Sequence, residues 1–223
     1  MYNRTVIVVW EGVDGAGKTT LLNTASNILS SMNFKVLTYK TPSSSPSGIF
    51  AKKYGNRPGV DHLTRMLLFL ANTSDDTAIM KKEIESNKPD FYFIDRYYLC
   101  SIVYGLALSK ARGEDVGEEE FKQLFSFIEK IGFRVFLKPD FYVIVDIGEE
   151  VRRHRIEVKE SQGGIEDEIE RSMEIQEQVR RFYRVFHKLY PSKTIWIENA
   201  EGQLLENAKL VIEKLLELEK IRE

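Results

Sequence analysis

Apolar positions fall along this chain in two textures that take turns. Five short runs rich in β-branched and aromatic residues read as strands: TVIVVW (5–10), FKVLTY (34–39), FYFID (91–95), FYVIVDI (141–147) and TIWIE (194–198). Several are apolar throughout, the pattern of strands covered on both faces. Between them, longer stretches predict helices over 18–31, about 60–86, 97–111, 118–130, 149–160, 166–189 and 201–221. Strand then helix, repeated, predicts an α/β fold with a parallel sheet between two helical layers. The last stretch, LLENAKLVIEKLLELEKI, has an apolar stripe that either docks on the sheet or forms a dimer contact. The turn-forming segment TPSSSPSG (41–48) is a connector or a substrate loop.

Composition narrows the field. No repeat or low-complexity linker divides the 223 residues, so 1–223 reads as one domain. With 43% hydrophobic residues the chain can bury a sizeable core. A net charge of −2 provides no basic field for nucleic acid or a membrane surface. Cys100 is the single cysteine, so no internal disulfide can form and a reducing compartment is expected. It reads as a small buried helix residue. No apolar run approaches ~18 residues, and MYNRTVIVVW reads as a core strand rather than a signal peptide. These features point to a soluble cytoplasmic protein.

One stretch carries specific chemistry. In WEGVDGAGKTT (10–20), Gly12, Gly17, Lys18 and Thr19 match the phosphate-loop spacing between an apolar strand and a helix-forming run. Phosphate oxygens need converging backbone N–H donors, and glycines let the backbone close around them. Gly12, Asp14, Gly15, Ala16, Gly17, Lys18, Thr19 and Thr20 are therefore the candidate nucleotide-phosphate site, a loop that GTPases, ATPase motors and small-molecule kinases all use. Lys18 would place a cation on the outer phosphates, and Thr19 would hold Mg2+. The tetrapeptide NKPD (87–90) resembles a guanine-reading motif, yet it precedes a strand instead of following one and reads as a helix-ending turn.

A second charged cluster closes the third strand, in FYFIDRYYLCSIVYG. Asp95 could hold the metal or orient an acceptor, and Arg96 could clamp a phosphate with its planar fork. A structural ion pair at a strand end is the plainer alternative.

EGVDGAGKTT followed by IDRYYLCSIVYG resembles the thymidylate kinase family, with LLFLAN (67–72) and KPDFYVIVDI in the expected order. The resemblance implies a three-layer P-loop fold, a five-stranded parallel sheet of order 2-3-1-4-5, and a short lid at about 150–167. It implies transfer of phosphate from ATP to dTMP with Mg2+, in a homodimer. Asp14 would contact the acceptor sugar and Phe69 would stack on its base, unless Phe69 is a core residue. Asn72, Arg96, Tyr97 and Tyr104 would complete the acceptor site, with Asp95 positioning the metal. Gly15 replaces a loop arginine found in some members, so the lid segment VRRHRIEVKESQGG (151–164) would supply the catalytic cation from Arg152 or Arg155. A solvated basic face is the alternative for that segment.

The chain also departs from the family pattern. Thr73 stands where an arginine reads the thymine edge, and the loop around Ser44 lacks an arginine, with only Lys40 and Lys52 nearby. Leu99-Cys100 and Tyr104-Gly105 replace the usual Asp-Ser and Tyr-Gln pairs. The lid has Lys159 and then no arginine until Arg171. Another nucleoside monophosphate, a deoxynucleoside, or nucleotide binding without transfer are the alternatives these changes raise.

Overall fold

A computed structural model describes residues 4–163 and 168–220, the last three by backbone alone. Strands β1 (Val6–Gly12), β2 (Val36–Lys40), β3 (Phe91–Asp95), β4 (Phe141–Asp146) and β5 (Thr194–Glu198) fall on the five predicted runs. They pair in parallel in the order β2-β3-β1-β4-β5. Every residue of β1, β3 and β4 is buried, which is why those runs carry no polar alternation. Trp10, Phe91 and Phe93 fill the centre of the core.

The helices are α1 (Lys18–Ser31), α2 (Pro46–Gly55), α3 (His62–Asn87), α4 (Tyr98–Ala111), α5 (Glu118–Gly132), α6 (Glu149–Ser161), α7 (Glu168–Arg171), α8 (Met173–Leu189) and α9 (Leu204–Lys220). Helices α1 and α9 pack together on one side of the sheet, and α4, α5 and α8 pack together on the other. The stripe of α9 buries Ala208, Val211, Ile212 and Leu215, so that helix docks within its own chain. Lys88, at φ 46°, ends α3 in a left-handed turn, the role expected of NKPD.

Three expectations change. Only the first part of 41–48 is loop, because Ser45 caps a helix with Pro46 in its first turn and accepts from Gly48 N at 3.1 Å. The helix expected over 166–189 is interrupted at Ser172, whose side chain accepts from Ile175 N at 3.2 Å and starts α8 afresh. Cys100 is only partly buried. Of the expected lid, 164–167 lie outside the described residues. No described helix is long and apolar enough to cross a membrane.

Register positions the chemistry. Trp10 of β1 lies opposite Asp95 of β3, and Lys40 of β2 lies opposite Asp95 on its other side. The carboxyl ends of three strands thus put the segments after Gly12, Lys40 and Asp95 in one crevice, where open α/β sheets bind ligands.

Candidate active site

The phosphate loop is shaped by two close approaches. Gly12 has φ 137°, and a Cβ there would lie 1.9 Å from the Val145 carbonyl oxygen of the neighbouring strand. Gly17 has φ 80° and forms the N-cap of α1. A Cβ at Gly17 would meet Asn199 Nδ2 at 2.8 Å, and that amide donates to Ala16 O at 2.7 Å. The loop therefore wraps the amino end of α1, whose dipole favours an anion.

Lys18 is buried inside the loop, donating to Val13 O at 2.7 Å. Burial and the nearby Arg96 charge lower its pKa to about 8, against the opposing pull of Asp14 and Asp95. Thr19 donates to Asp95 Oδ2 at 2.5 Å, and Lys40 Nζ lies 3.3 Å from the same oxygen. Burial works to raise the Asp95 pKa, but the Thr19 hydrogen bond and the charges of Lys40, Arg96 and Lys18 outweigh it and hold the group ionised. Asp95 Oδ1 is buried and meets no hydrogen-bond donor. An orphaned carboxylate oxygen beside the loop hydroxyl is a hard-oxygen pair suited to Mg2+. Among the described residues no group of three or more His, Cys, Asp or Glu could hold a metal. A Mg2+ ion here would be completed by phosphate oxygens and water.

Arg96 occupies a left-handed conformation, φ 68°, which costs a non-glycine residue roughly 1–2 kcal/mol. Its N–H still donates to Trp10 O at 3.0 Å, so the strained turn is tied to β1 and aims the side chain across the crevice. Nη2 donates to Asp14 Oδ1, and Nη1 to Cys100 Sγ at 3.1 Å. Asp14 Oδ2 accepts from Tyr104 at 2.5 Å and from Gln176 Nε2 at 3.2 Å, while Gln176 Oε1 accepts the Asp14 N–H at 3.0 Å. Burial pushes the Asp14 pKa up, but the Arg96 and Lys18 cations and these bonds prevail and hold it far below the usual carboxylate range. Beneath this group, Glu11 accepts from the N–H groups of Tyr97 and Cys100 at 3.0 and 3.2 Å, and from Tyr183 at 2.9 Å. Its complete burial raises its pKa to about 7, against the opposing Arg96 charge.

Arg96, Asp14 and Tyr104 line a cavity of about 270 Å3, together with Lys40, Phe69, Asn72 and Tyr97. The predicted acceptor residues are thus brought into one place. Phe69 is half-buried in that wall, while the Tyr97 hydroxyl points away to Thr77 and Leu137 N. The two lid arginines separate. Arg155 reaches over the loop, 3.5 Å from Gly15 O and 3.4 Å from Asn199 O. Arg152 is fully buried: its stem packs against Gly15, where a Cβ would lie 3.1 Å from Arg152 Cγ, but its guanidinium is held by both Glu149 oxygens at 2.7 Å and by Glu170 O at 2.6 Å. The guanidinium expected as a catalytic cation is thus tied down between α6 and α7.

Sequence reasoning noted Lys40 only as a cation near the Ser44 loop and gave it no role, whereas the structure places it 3.3 Å from Asp95 Oδ2. Gln176 left no signal, because it meets Asp14 only through the fold.

Comparison with known proteins agrees with this geometry. A family model described as thymidylate kinase matches residues 10–211. The thymidylate kinase of Caldicellulosiruptor saccharolyticus is 29% identical over 217 residues, covering 94% of this chain and 96% of its own. A probable thymidylate kinase 1 of Saccharolobus solfataricus is 28% identical over 211 residues, covering 94% and 98%. The crystal structure of thymidylate kinase from Ehrlichia chaffeensis shares the fold, with a TM-score of 0.64, 20% identity, and coverage of 96% of this chain and 99% of that one. The chain belongs to the thymidylate kinase family.

Proposed function

We propose that this chain transfers the γ-phosphoryl group of ATP to dTMP, giving dTDP and ADP. The observation that carries this is the Arg96–Asp14 pair, which joins an acceptor cavity to the phosphate loop. In this reading an oxygen of the dTMP phosphate forms the new bond to γ-phosphorus while the bond to the β-bridging oxygen breaks. The acceptor is already anionic, so positioning and charge neutralisation do most of the work. Lys18 and the loop N–H groups hold the donor, Arg96 holds the acceptor phosphate, and Arg155 crosses the transferring group from the lid side. Thr19 and Asp95 would hold Mg2+, which when bound neutralises β- and γ-phosphate charge. The departing ADP stays in the loop until the lid opens.

The experiment is an acceptor screen with ATP across dTMP, dUMP, dCMP, dAMP, dGMP and nucleosides. dTDP as the principal product supports the reading; a preferred acceptor other than dTMP or dUMP removes it. We also propose a homodimer formed through α2 and α3, which pack together and expose Ile49, Phe50, Leu63 and Leu67. A monomeric mass by light scattering at micromolar concentration would remove that part.

A further inference from the structure

Lys40 stands where the phosphate loop and the acceptor cavity meet. Its backbone is pinned at the end of β2: it lies opposite Asp95 in register, Thr41 N donates to Asp95 O at 3.1 Å, and Thr41 Oγ1 donates to Arg96 O at 2.8 Å. The side chain is held far less tightly. It is 61% exposed, and Nζ lies 3.3 Å from Asp95 Oδ2 and 3.4 Å from Thr19 Oγ1. Direct ammonium–carboxylate hydrogen bonds close to about 2.7–2.9 Å, so this one is loose. Lys18 shows the contrast, buried and donating to Val13 O at 2.7 Å. One lysine is locked into the loop; the other leans on two oxygens from a flexible stem.

Thr19 Oγ1 and the Asp95 carboxylate are also the groups suited to Mg2+, so Lys40 and the metal compete for the same partners. The ammonium replaces a divalent ion incompletely, because Asp95 Oδ1 stays buried with no donor. Two cations drawn to one carboxylate repel each other, and the monovalent one on an exposed stem is the one able to leave. Lys40 lines the acceptor cavity together with Arg96. Arg96 is paired with Asp14, and that pair carries no net charge. A nucleoside monophosphate brings a charge of about −1.5 to −2, which calls for a second cation.

We propose that Lys40 is a placeholder for the metal: its ammonium covers the Thr19–Asp95 pair until the donor nucleotide and Mg2+ bind, and once displaced it joins Arg96 on the acceptor phosphate. The proposal rests on the phosphotransferase reading and deepens it, because filling the donor site then strengthens the acceptor site. By linkage the effect runs both ways, and an acceptor that holds the ammonium away favours the metal by the same factor. Lys40 is in this sense a positioning residue, acting on the acceptor only when the loop is loaded.

The test measures binding without turnover, by titration calorimetry of the wild type and Lys40→Met. ADP is titrated in Mg2+ and in EDTA, and dTMP is titrated into protein saturated with ADP under each condition. The wild type should bind dTMP roughly tenfold tighter with Mg2+ than with EDTA. In Lys40→Met most of that gain should vanish, while Mg2+ should strengthen ADP binding roughly tenfold more than it does in the wild type. Lys40→Gln keeps a polar end without the charge and should reproduce both changes. A gain on dTMP that is absent from the wild type, or equal in wild type and variants, would overturn the proposal by showing a cation that only repels the metal. An unchanged or smaller effect of Mg2+ on ADP in the variants would overturn it by showing a fixed ion pair that supports Asp95. If the wild type binds no dTMP, the phosphotransferase reading fails, and the ADP titrations alone decide whether Lys40 holds the metal's place.

Discussion

The guanidinium of Arg96 donates to the carboxylate of Asp14, linking the end of β3 to the phosphate loop after β1. Asp14 is a buried anion held by two cations, a tyrosine and a glutamine, and Arg96 is a partly buried cation whose opposite charge is Asp14. Each side chain is stable in that position because the other is there.

Asp14→Ala therefore leaves Arg96 uncompensated. Loss of about 1–3 kcal/mol of stability is expected, the cost of leaving a partly buried polar group without its partner. A nucleoside monophosphate would return an anion to Arg96. Thermal melts should show dTMP raising Tm more in Asp14→Ala than in the wild type; a smaller rise would separate Arg96 from the acceptor phosphate.

Arg152 and Arg155 should part company when each is changed to alanine. Arg155→Ala is expected to keep its melting temperature and lose roughly a hundredfold or more in kcat. Arg152→Ala removes a fully buried cation from Glu149 and the Glu170 carbonyl, and should lose roughly 3–5 kcal/mol of stability. Calorimetry and initial rates on the two variants check the assignment.

These two arginines show where the sequence stops being legible. They lie three residues apart on one helix, and only their partners, a glutamate one turn back and a carbonyl of α7, distinguish the guanidinium tied down between α6 and α7 from the one that reaches the phosphate loop. The strands were readable because a sheet covered on both faces demands apolar runs. The loop was readable because phosphate demands glycines. Helix α2 was readable in principle from Ser45-Pro46, but serines and prolines also spell a connector. Gln176 looked like an ordinary polar position on a helix; its meaning comes from Asp14, 162 residues away, which only the fold brings near.

Lys18 has a pKa lowered to about 8 in the loop. Phosphate oxygens favour its ammonium form, so ATP binding raises that pKa and draws in a proton when the free group is largely neutral. Titration calorimetry in buffers of different ionisation enthalpy should show proton uptake near about pH 9 and much less near about pH 7. Equal uptake at both would place Lys18 outside the ATP contact.

Glu11 works in the opposite sense. Burial raises its pKa from 4.5 to about 7, so the folded state binds its proton more tightly than the unfolded chain. That contribution is fully present below pH 4.5 and is lost as pH rises through about 7, amounting to something on the order of 3 kcal/mol. Glu11→Gln copies the protonated form at every pH. Denaturant unfolding should find it close to the wild type near about pH 5 and more stable than the wild type near about pH 8. A difference independent of pH would mean that Glu11 stays ionised throughout.

The division of labour between loop and cavity is tested most directly by steady-state kinetics of Arg96→Ala with ATP and dTMP varied in turn. KM for dTMP should rise about tenfold to a hundredfold, the loss of a charge-assisted contact, while KM for ATP stays near the wild-type value. An unchanged KM for dTMP, or a rise confined to ATP, would contradict the placement of the acceptor phosphate on Arg96.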